Sequence, residues 1–220
     1  MKSASFEELK IGEGIYTARD IATILNVPRN KVSYWMSKYV REKFPAITGY
    51  VYNFEQEKGI YVNFKSFLQI YVFNELKQRG HSNKKILEMY SFISRKYKTK
   101  YPFALKKILS VGSELMLEEK EDIFNAKFQL SFKKILSDYI DKIEFDNDGS
   151  AIRYYPLGKE RTIVVDPSIQ FGSPVIKGTR VNADILVELY ENGEEINAIA
   201  KMYEISIDNV NDAIEFSMAA

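Results

Sequence analysis

Residues 16–64 follow a pattern with few structural solutions. In 18–25, Ile21, Ile24 and Leu25 recur at helical spacing, small Ala18 and Ala22 lie on a nearby face, and Thr17 supplies an N-cap hydroxyl. Asn26-Val27-Pro28 ends this helix. Pro28 then opens a second one over 29–39, because a proline in the first turn loses no helical hydrogen bond. In that helix Val32, Trp35, Met36 and Tyr39 fall at i, i+3, i+4 and i+7 and form the buried stripe, so Arg29, Asn30, Ser33, Tyr34 and Lys38 project from the remaining surface. Two β-rich runs, 50–54 and 60–64, flank the polar 55–59 as a hairpin. Helix, tight turn, helix and hairpin together predict a winged helix-turn-helix.

Downstream, an amphipathic helix is expected over 67–79, stopped by Gly80, and Ser82 caps another reaching residue 97. The run 96–102, rich in lysine and ending in Pro102, marks a boundary. Beyond it the pattern gives a hairpin over 107–117 turning at Gly112-Ser113, a strand over 122–126, a helix over 132–140, and a hairpin of 142–145 with 152–155 around Asp148-Gly149. A strand at 163–165 enters a loop from Asp166 to Arg180, and three short helices close the chain over 182–191, 194–203 and 208–216, with Gly193 and Ser206 between them. The fold class is α+β and mainly helical. Residues 1–100 make a winged helix-turn-helix domain, 101–160 a small α+β middle module, and 161–220 a three-helix, helix-turn-helix-like unit.

Charge is divided along the same lines. Of 220 residues with a net charge of +1, positions 1–110 hold 20 basic and 9 acidic side chains, and 111–220 hold 11 and 21. A basic half beside an acidic one suits a chain that meets a polyanion at one end and a different partner at the other, although two differently solvated surfaces give the same count.

Residue inventory narrows the chemistry. There is no cysteine, which removes disulfides, thiolate nucleophiles and cysteine zinc sites, and the one histidine, His81, cannot form a His-pair metal motif. His81 lies between Gly80 and Ser82 at a helix boundary, where a solvent-facing position is expected. The acidic run 118–122 is expected to be a solvated face, and no glycine-rich phosphate loop is present. No catalytic residue, metal or cofactor is therefore assigned, and the chain is expected not to be an enzyme. Neither a leader-type apolar region nor a run long enough to span a membrane occurs, so a cytoplasmic chain is expected.

Nucleic-acid recognition has more support. A helix-turn-helix lays its second helix in the major groove, where donors near its N-terminus reach base edges and flanking cations meet phosphates. Arg29, Asn30, Lys31 and Ser33 hold the N-terminal end, Tyr34 and Lys38 suit backbone contacts, and Arg41, Lys43 and the wing residue Lys58 add phosphate contacts. In the loop 166–180, Asp166-Pro167 suits a turn, Gly172 and Gly178 give backbone freedom, Pro174 straightens the approach to Val175, and Arg180 is placed to brace the loop or an acidic partner.

Two resemblances add to this reading. The words Tyr-Thr-Ala-Arg-Asp-Ile-Ala and Val-Ser-Tyr-Trp within 16–39, followed by Arg79-Gly80-His81-Ser82, resemble the winged helix-turn-helix of MerR-type regulators, without the effector-binding cysteine or long dimerising coiled coil of metal- or drug-sensing members. Within 163–216, Ile-Val-Val-Asp-Pro, Phe-Gly-Ser-Pro-Val-Ile-Lys-Gly-Thr-Arg-Val and the helix from Asp208 to Phe216 resemble the three-helix domain of VapB-like antitoxins. By position, that signature falls on Asp166, Pro167, Gly172, Pro174, Gly178, Thr179 and Arg180. The resemblance implies a type II antitoxin that binds its operator DNA; the family's three-helix unit is itself helix-turn-helix-like, but here 181–220 carries Lys201 alone against nine acidic residues. It further implies a PIN-like ribonuclease toxin as partner, and two-fold operators imply a homodimer. Two other readings stay open: a DNA-binding regulator with no toxin, whose middle module dimerises or binds a ligand, and an enzyme that uses acidic-half carboxylates with a metal such as Mg²⁺.

Overall fold

A computed structural model describes residues 12–41, 49–54, 57–106, 108 and 126–218. Apart from the buried Ile108, the hairpin expected over 107–117 lies outside the described residues, as do the acidic run 118–122, the strand positions 122–125 and the side chains of 39–58. Ala126, expected to end a strand, begins a helix.

The described residues form an α+β, mainly helical fold. Strand β1 (Tyr16–Thr17) leads into α1 (Ala18–Leu25) and α2 (Arg29–Arg41), followed by β2 (Gly49–Phe54), β3 (Glu57–Val62), α3 (Phe64–Gln78) and α4 (Asn83–Tyr97). After a 3-10 turn at Pro102–Ala104 come α5 (Ala126–Ile140), β4 (Ile143–Phe145), β5 (Ala151–Tyr154), β6 (Ile163–Val165) and β7 (Pro174–Ile176). Helices α6 (Ala183–Glu191), α7 (Ile196–Met202) and α8 (Ile207–Met218) follow. Two antiparallel sheets result, with strand orders β1-β3-β2 and β4-β5-β6-β7. The second sheet is continuous across residue 160, because Tyr154 of β5 pairs with Val165 of β6.

The wing departs from the expected hairpin in two ways. Phe54 pairs with Glu57, so the turn is two residues long and Glu57, Lys58 and Gly59 belong to strand β3 instead of the turn. A two-residue connection fixes register more strongly than polar composition does. Phe64 begins α3 instead of ending the strand, because the Asn63 side chain caps that helix by accepting from the Ser66 amide at 2.9 Å.

Helix α3 is also not the amphipathic helix the spacing predicts. Apolar Phe64, Phe67, Leu68, Ile70, Val72, Phe73 and Leu76 are buried on several faces, and so are Ser66, Gln69 and Asn74. A helix buried over most of its surface is a central element. Each neighbouring module touches it through an aromatic ring: Trp35 of α2 meets Phe73 at 5.3 Å, Tyr16 of β1 stacks on Phe67 at 5.1 Å, Tyr139 of α5 stacks on Tyr71 at 5.2 Å, and Tyr154 of β5 meets Phe67 edge-on at 5.6 Å. Gln69 is tolerated inside because its side chain donates to the Lys65 carbonyl at 2.9 Å and accepts from the Phe103 amide at 3.2 Å. Phe67, Tyr71 and Phe73 are consumed by this core and are not available as a dimer face.

His81 is a further correction, since it is buried instead of solvent-facing. Gly80 adopts φ +82°, and the reversed chain returns the His81 amide to the Leu76 carbonyl at 3.2 Å and the Gly80 amide to Lys77 at 3.0 Å. This glycine-terminated cap folds the next residue back onto the helix it ends. One continuous cluster of buried apolar side chains runs from Tyr16 through α3 to Phe216 of α8.

Candidate nucleic-acid interface

The helix-turn-helix is held at its start by a reciprocal cap. Thr17 accepts from the Asp20 amide at 3.4 Å, and the Asp20 carboxylate accepts from the Thr17 amide at 2.8 Å and its hydroxyl at 2.7 Å. Asn26 ends α1 in the left-handed region at φ 49°, which asparagine tolerates, and the Val27 amide returns to the Ala22 carbonyl at 3.0 Å. Pro28 then caps α2 with its carbonyl, accepting from the Lys31 amide at 3.0 Å. Val32, Trp35 and Met36 are buried, as their spacing requires.

The opposite face of α2 gathers six of the expected contact residues. Arg29, Asn30, Lys31, Ser33 and Tyr34 are exposed, and Lys38 is partly so. Arg29 and Lys31 form no ion pair among the described residues. The exposed Asn30 side chain accepts from the Lys31 amide at 2.8 Å through its oxygen and keeps an NH2 group as a donor. Lys38 donates to the Tyr34 hydroxyl at 3.4 Å and lies 5.8 Å over its ring. From residue 29 to 38 the helix rises about 14 Å, the length of about four base pairs. Arg41 ends α2 and Lys58 sits in β3 opposite Asn53, while their side chains and that of Lys43 lie outside the described residues.

The second cluster of expected residues does a different job. Asp166 is buried, and its carboxylate accepts from the Ser168 amide at 2.9 Å, the Ser168 hydroxyl at 2.5 Å and Arg153 Nε at 2.6 Å. Burial works to raise this carboxyl, but the hydrogen bonds from Ser168 and Arg153 outweigh it and hold it below its ordinary value. Arg153 also donates to Glu144 at 2.8 Å, and Glu144 takes the Tyr155 hydroxyl at 2.5 Å. Burial, followed by the Glu144 hydrogen bond, pushes the Tyr155 phenol up to about 12. Gln170, Phe171 and Gly172 all have positive φ, and this turn presents the Phe171 carbonyl to the Ile15 amide at 2.8 Å. Gly172 is required there: a Cβ would collide with the Tyr16 hydroxyl. Pro174 opens β7, Gly178 turns at φ +82°, and Thr179 donates to the Ile176 carbonyl at 2.8 Å while accepting from the Val181 amide at 3.0 Å. The loop thus fastens the C-terminal segment to the strand that opens the helix-turn-helix.

Arg180 does not brace this loop. Its side chain is exposed, and its carbonyl receives the Gln170 side chain at 3.4 Å. Arg153 takes the bracing role, and Arg161 does the same between β6 and α8 by donating to Asp212 at 2.7 Å and also pairing with Glu215. Asp212 further accepts from the Thr162 amide at 2.7 Å and hydroxyl at 2.8 Å. Its partners stand 50 or more positions away, so no local spacing signals the pair.

Residues 163–217 match the family described as "Protein of unknown function (DUF433)". The matched segment is the β6–α8 unit whose loop grips Tyr16. Over 231 aligned residues the chain is 25% identical to a Mycobacterium tuberculosis protein named "Putative antitoxin VapB45", covering 94% of this chain and 95% of that one. The X-ray crystal structure of Rv2018 from Mycobacterium tuberculosis shares the fold, with a TM-score of 0.72 at 20% identity over 94% of this chain and 99% of that chain. The likeness therefore spans both the helix-turn-helix and the C-terminal segment. No helix among the described residues is long and apolar enough to cross a membrane.

Proposed function

We propose that this protein is the antitoxin of a type II toxin-antitoxin system, which binds operator DNA through α2 and its wing and neutralises a PIN-like ribonuclease toxin. The observation that carries the DNA half is the row of exposed donors, Arg29, Asn30, Lys31 and Ser33, at the N-terminal end of a helix whose other face is locked into the core. The toxin half is supported by the likeness along nearly the whole chain to a protein named as an antitoxin.

The C-terminal segment suits a basic protein partner. It is acidic, and Ile185, Tyr190, Met202, Ile207 and Met218 stay exposed on its helices. Apolar side chains within a field of carboxylates complement a cationic, RNA-binding groove and compete there with phosphate. A homodimer supplies the two recognition helices that a two-fold operator requires.

The experiment has two arms. Expressing the neighbouring short gene alone should arrest growth, and co-expressing this chain should restore growth and yield a complex that co-purifies. Band shifts with the DNA upstream of the pair should show binding by the wild type that weakens in the Arg29→Ala/Lys31→Ala variant. Growth unaffected by every neighbouring gene would remove the toxin half. DNA binding unchanged in the double variant would remove the recognition helix.

A further inference from the structure

The basic excess of the first half is not concentrated in the helix-turn-helix. Residues 16–64 hold seven basic and four acidic side chains, whereas 84–107 hold eight basic and one acidic, Glu88. From 89 to 113 there is no Asp or Glu, while Arg95, Lys96, Lys98, Lys100, Lys106 and Lys107 all fall within that run. A stretch of one sign is the electrostatic footprint of a polyanionic partner.

The fold holds this stretch in place. Helix α4 ends at Tyr97, and the Lys98 and Thr99 amides return to the Arg95 and Ser94 carbonyls at 3.4 and 3.1 Å. Pro102, Phe103 and Ala104 are then buried, and the Phe103 amide donates to the Gln69 side chain of the central helix α3. Between these anchors Arg95, Lys98 and Lys100 are exposed and form no ion pair among the described residues. Lys98 adopts φ 50° and ψ 43°, the left-handed conformation that helix ends most often give to glycine. A lysine there carries backbone strain that glycine avoids, and such strain clusters at functional sites.

The stretch also adjoins the wing. Asn63, the residue after β3, donates through its side chain to the Tyr101 hydroxyl at 3.5 Å. From Asn63 to Phe73, where Trp35 of α2 meets α3, the chain rises about 15 Å, the length of about four to five base pairs. That separation is within the length of one short duplex.

We propose that Arg95, Lys98 and Lys100 form a second phosphate-binding surface, which grips the backbone of duplex DNA outside the groove entered by α2. Its contacts are to phosphate and carry no sequence preference. The proposal rests on the operator-binding reading for its choice of duplex DNA, and a probe of random sequence separates the two.

Fluorescence anisotropy of the full chain with a labelled random-sequence duplex, over a range of salt concentrations, is the test. Wild type is expected to bind with a salt-dependent affinity. Arg95→Gln/Lys98→Asn/Lys100→Gln should bind about tenfold more weakly, with the slope of log K against log salt reduced by about 2–3. This change is expected even if Arg29→Ala/Lys31→Ala leaves binding unaltered, so failure of the recognition helix and failure of this surface are distinguishable. Lys98→Gly alone should bind about threefold more weakly with Tm no lower than that of the wild type, a combination that a purely structural role for Lys98 does not produce. No binding of the random duplex, or a triple variant equal to the wild type in affinity and slope, would overturn the proposal. So would tighter binding of a single-stranded RNA of the same length, or displacement by poly-glutamate as effective as by unlabelled duplex, which would assign the surface to RNA or to an acidic protein segment.

Discussion

Replacing Asp166 by asparagine isolates what the buried carboxylate contributes. The change keeps the side-chain shape and an oxygen that can still accept from the Ser168 amide, now 2.9 Å from the carboxylate. It removes the charge, and it turns an amide NH2 or a neutral oxygen toward Arg153 Nε, which donates at 2.6 Å. A charge-assisted hydrogen bond inside a protein contributes about 1.5–3 kcal/mol, and the partial exposure of Arg153 reduces this to about 1–2 kcal/mol. For a chain of this size that loss lowers Tm by about 2–8 °C. The pH dependence has a definite sign. Because the folded-state carboxyl is held below its ordinary 3.8, the contribution is complete above that value and is lost as pH falls through the lower, folded one. Urea unfolding of wild type and Asp166→Asn from pH 7 to pH 3 should therefore show a gap that is constant near neutrality and closes below about pH 4. A gap under about 0.3 kcal/mol at pH 7, or one that stays the same down to pH 3, would refute the assignment of Asp166 as the charged anchor of the loop.

Three further perturbations probe the packing around the helix-turn-helix. Trp35→Ala empties the contact with Phe73 and should cost about 3–5 kcal/mol in urea unfolding, with DNA binding lost at 37 °C. Gly172→Ala places a Cβ against the Tyr16 hydroxyl at φ +93° and should destabilise by about 1–3 kcal/mol; adding Tyr16→Phe should recover part of that loss, and strict additivity of the two would speak against direct contact. Thr17→Ala removes one side of the reciprocal cap and should cost about 1 kcal/mol, visible as earlier amide exchange in α1.

The elements with strong local chemistry were the ones legible in the chain. Thr17, Asn26 and Pro28 announce two helix ends through capping and proline geometry, and the α2 stripe declares its buried face through spacing alone. The three closing helices and the Asp148-Gly149 turn follow from equally local signals. Helix α3 was legible as a helix but not as the hub, because its buried Ser66, Gln69 and Asn74 look like a solvent face until Phe103 and the other modules close over it. The signature loop was legible as a turn, but its bracing partner was not. Arg180 stands next to the loop in sequence, whereas Arg153 reaches Asp166 across paired strands, and Arg161 reaches Asp212 across the β6–α8 contact. Tyr16 reads as the residue before a cap, and only the fold brings Gly172 against its hydroxyl.

The central claim is that α2 presents its N-terminal donors to operator DNA, and the salt dependence of binding tests it most directly. Fluorescence anisotropy with labelled upstream DNA across a range of salt concentrations gives both an affinity and the number of phosphates neutralised. The Arg29→Ala/Lys31→Ala variant is expected to bind about tenfold or more weakly, with the slope of log K against log salt reduced by about 1–2. An affinity and slope equal to those of the wild type would contradict the claim and place the DNA contact elsewhere on the chain.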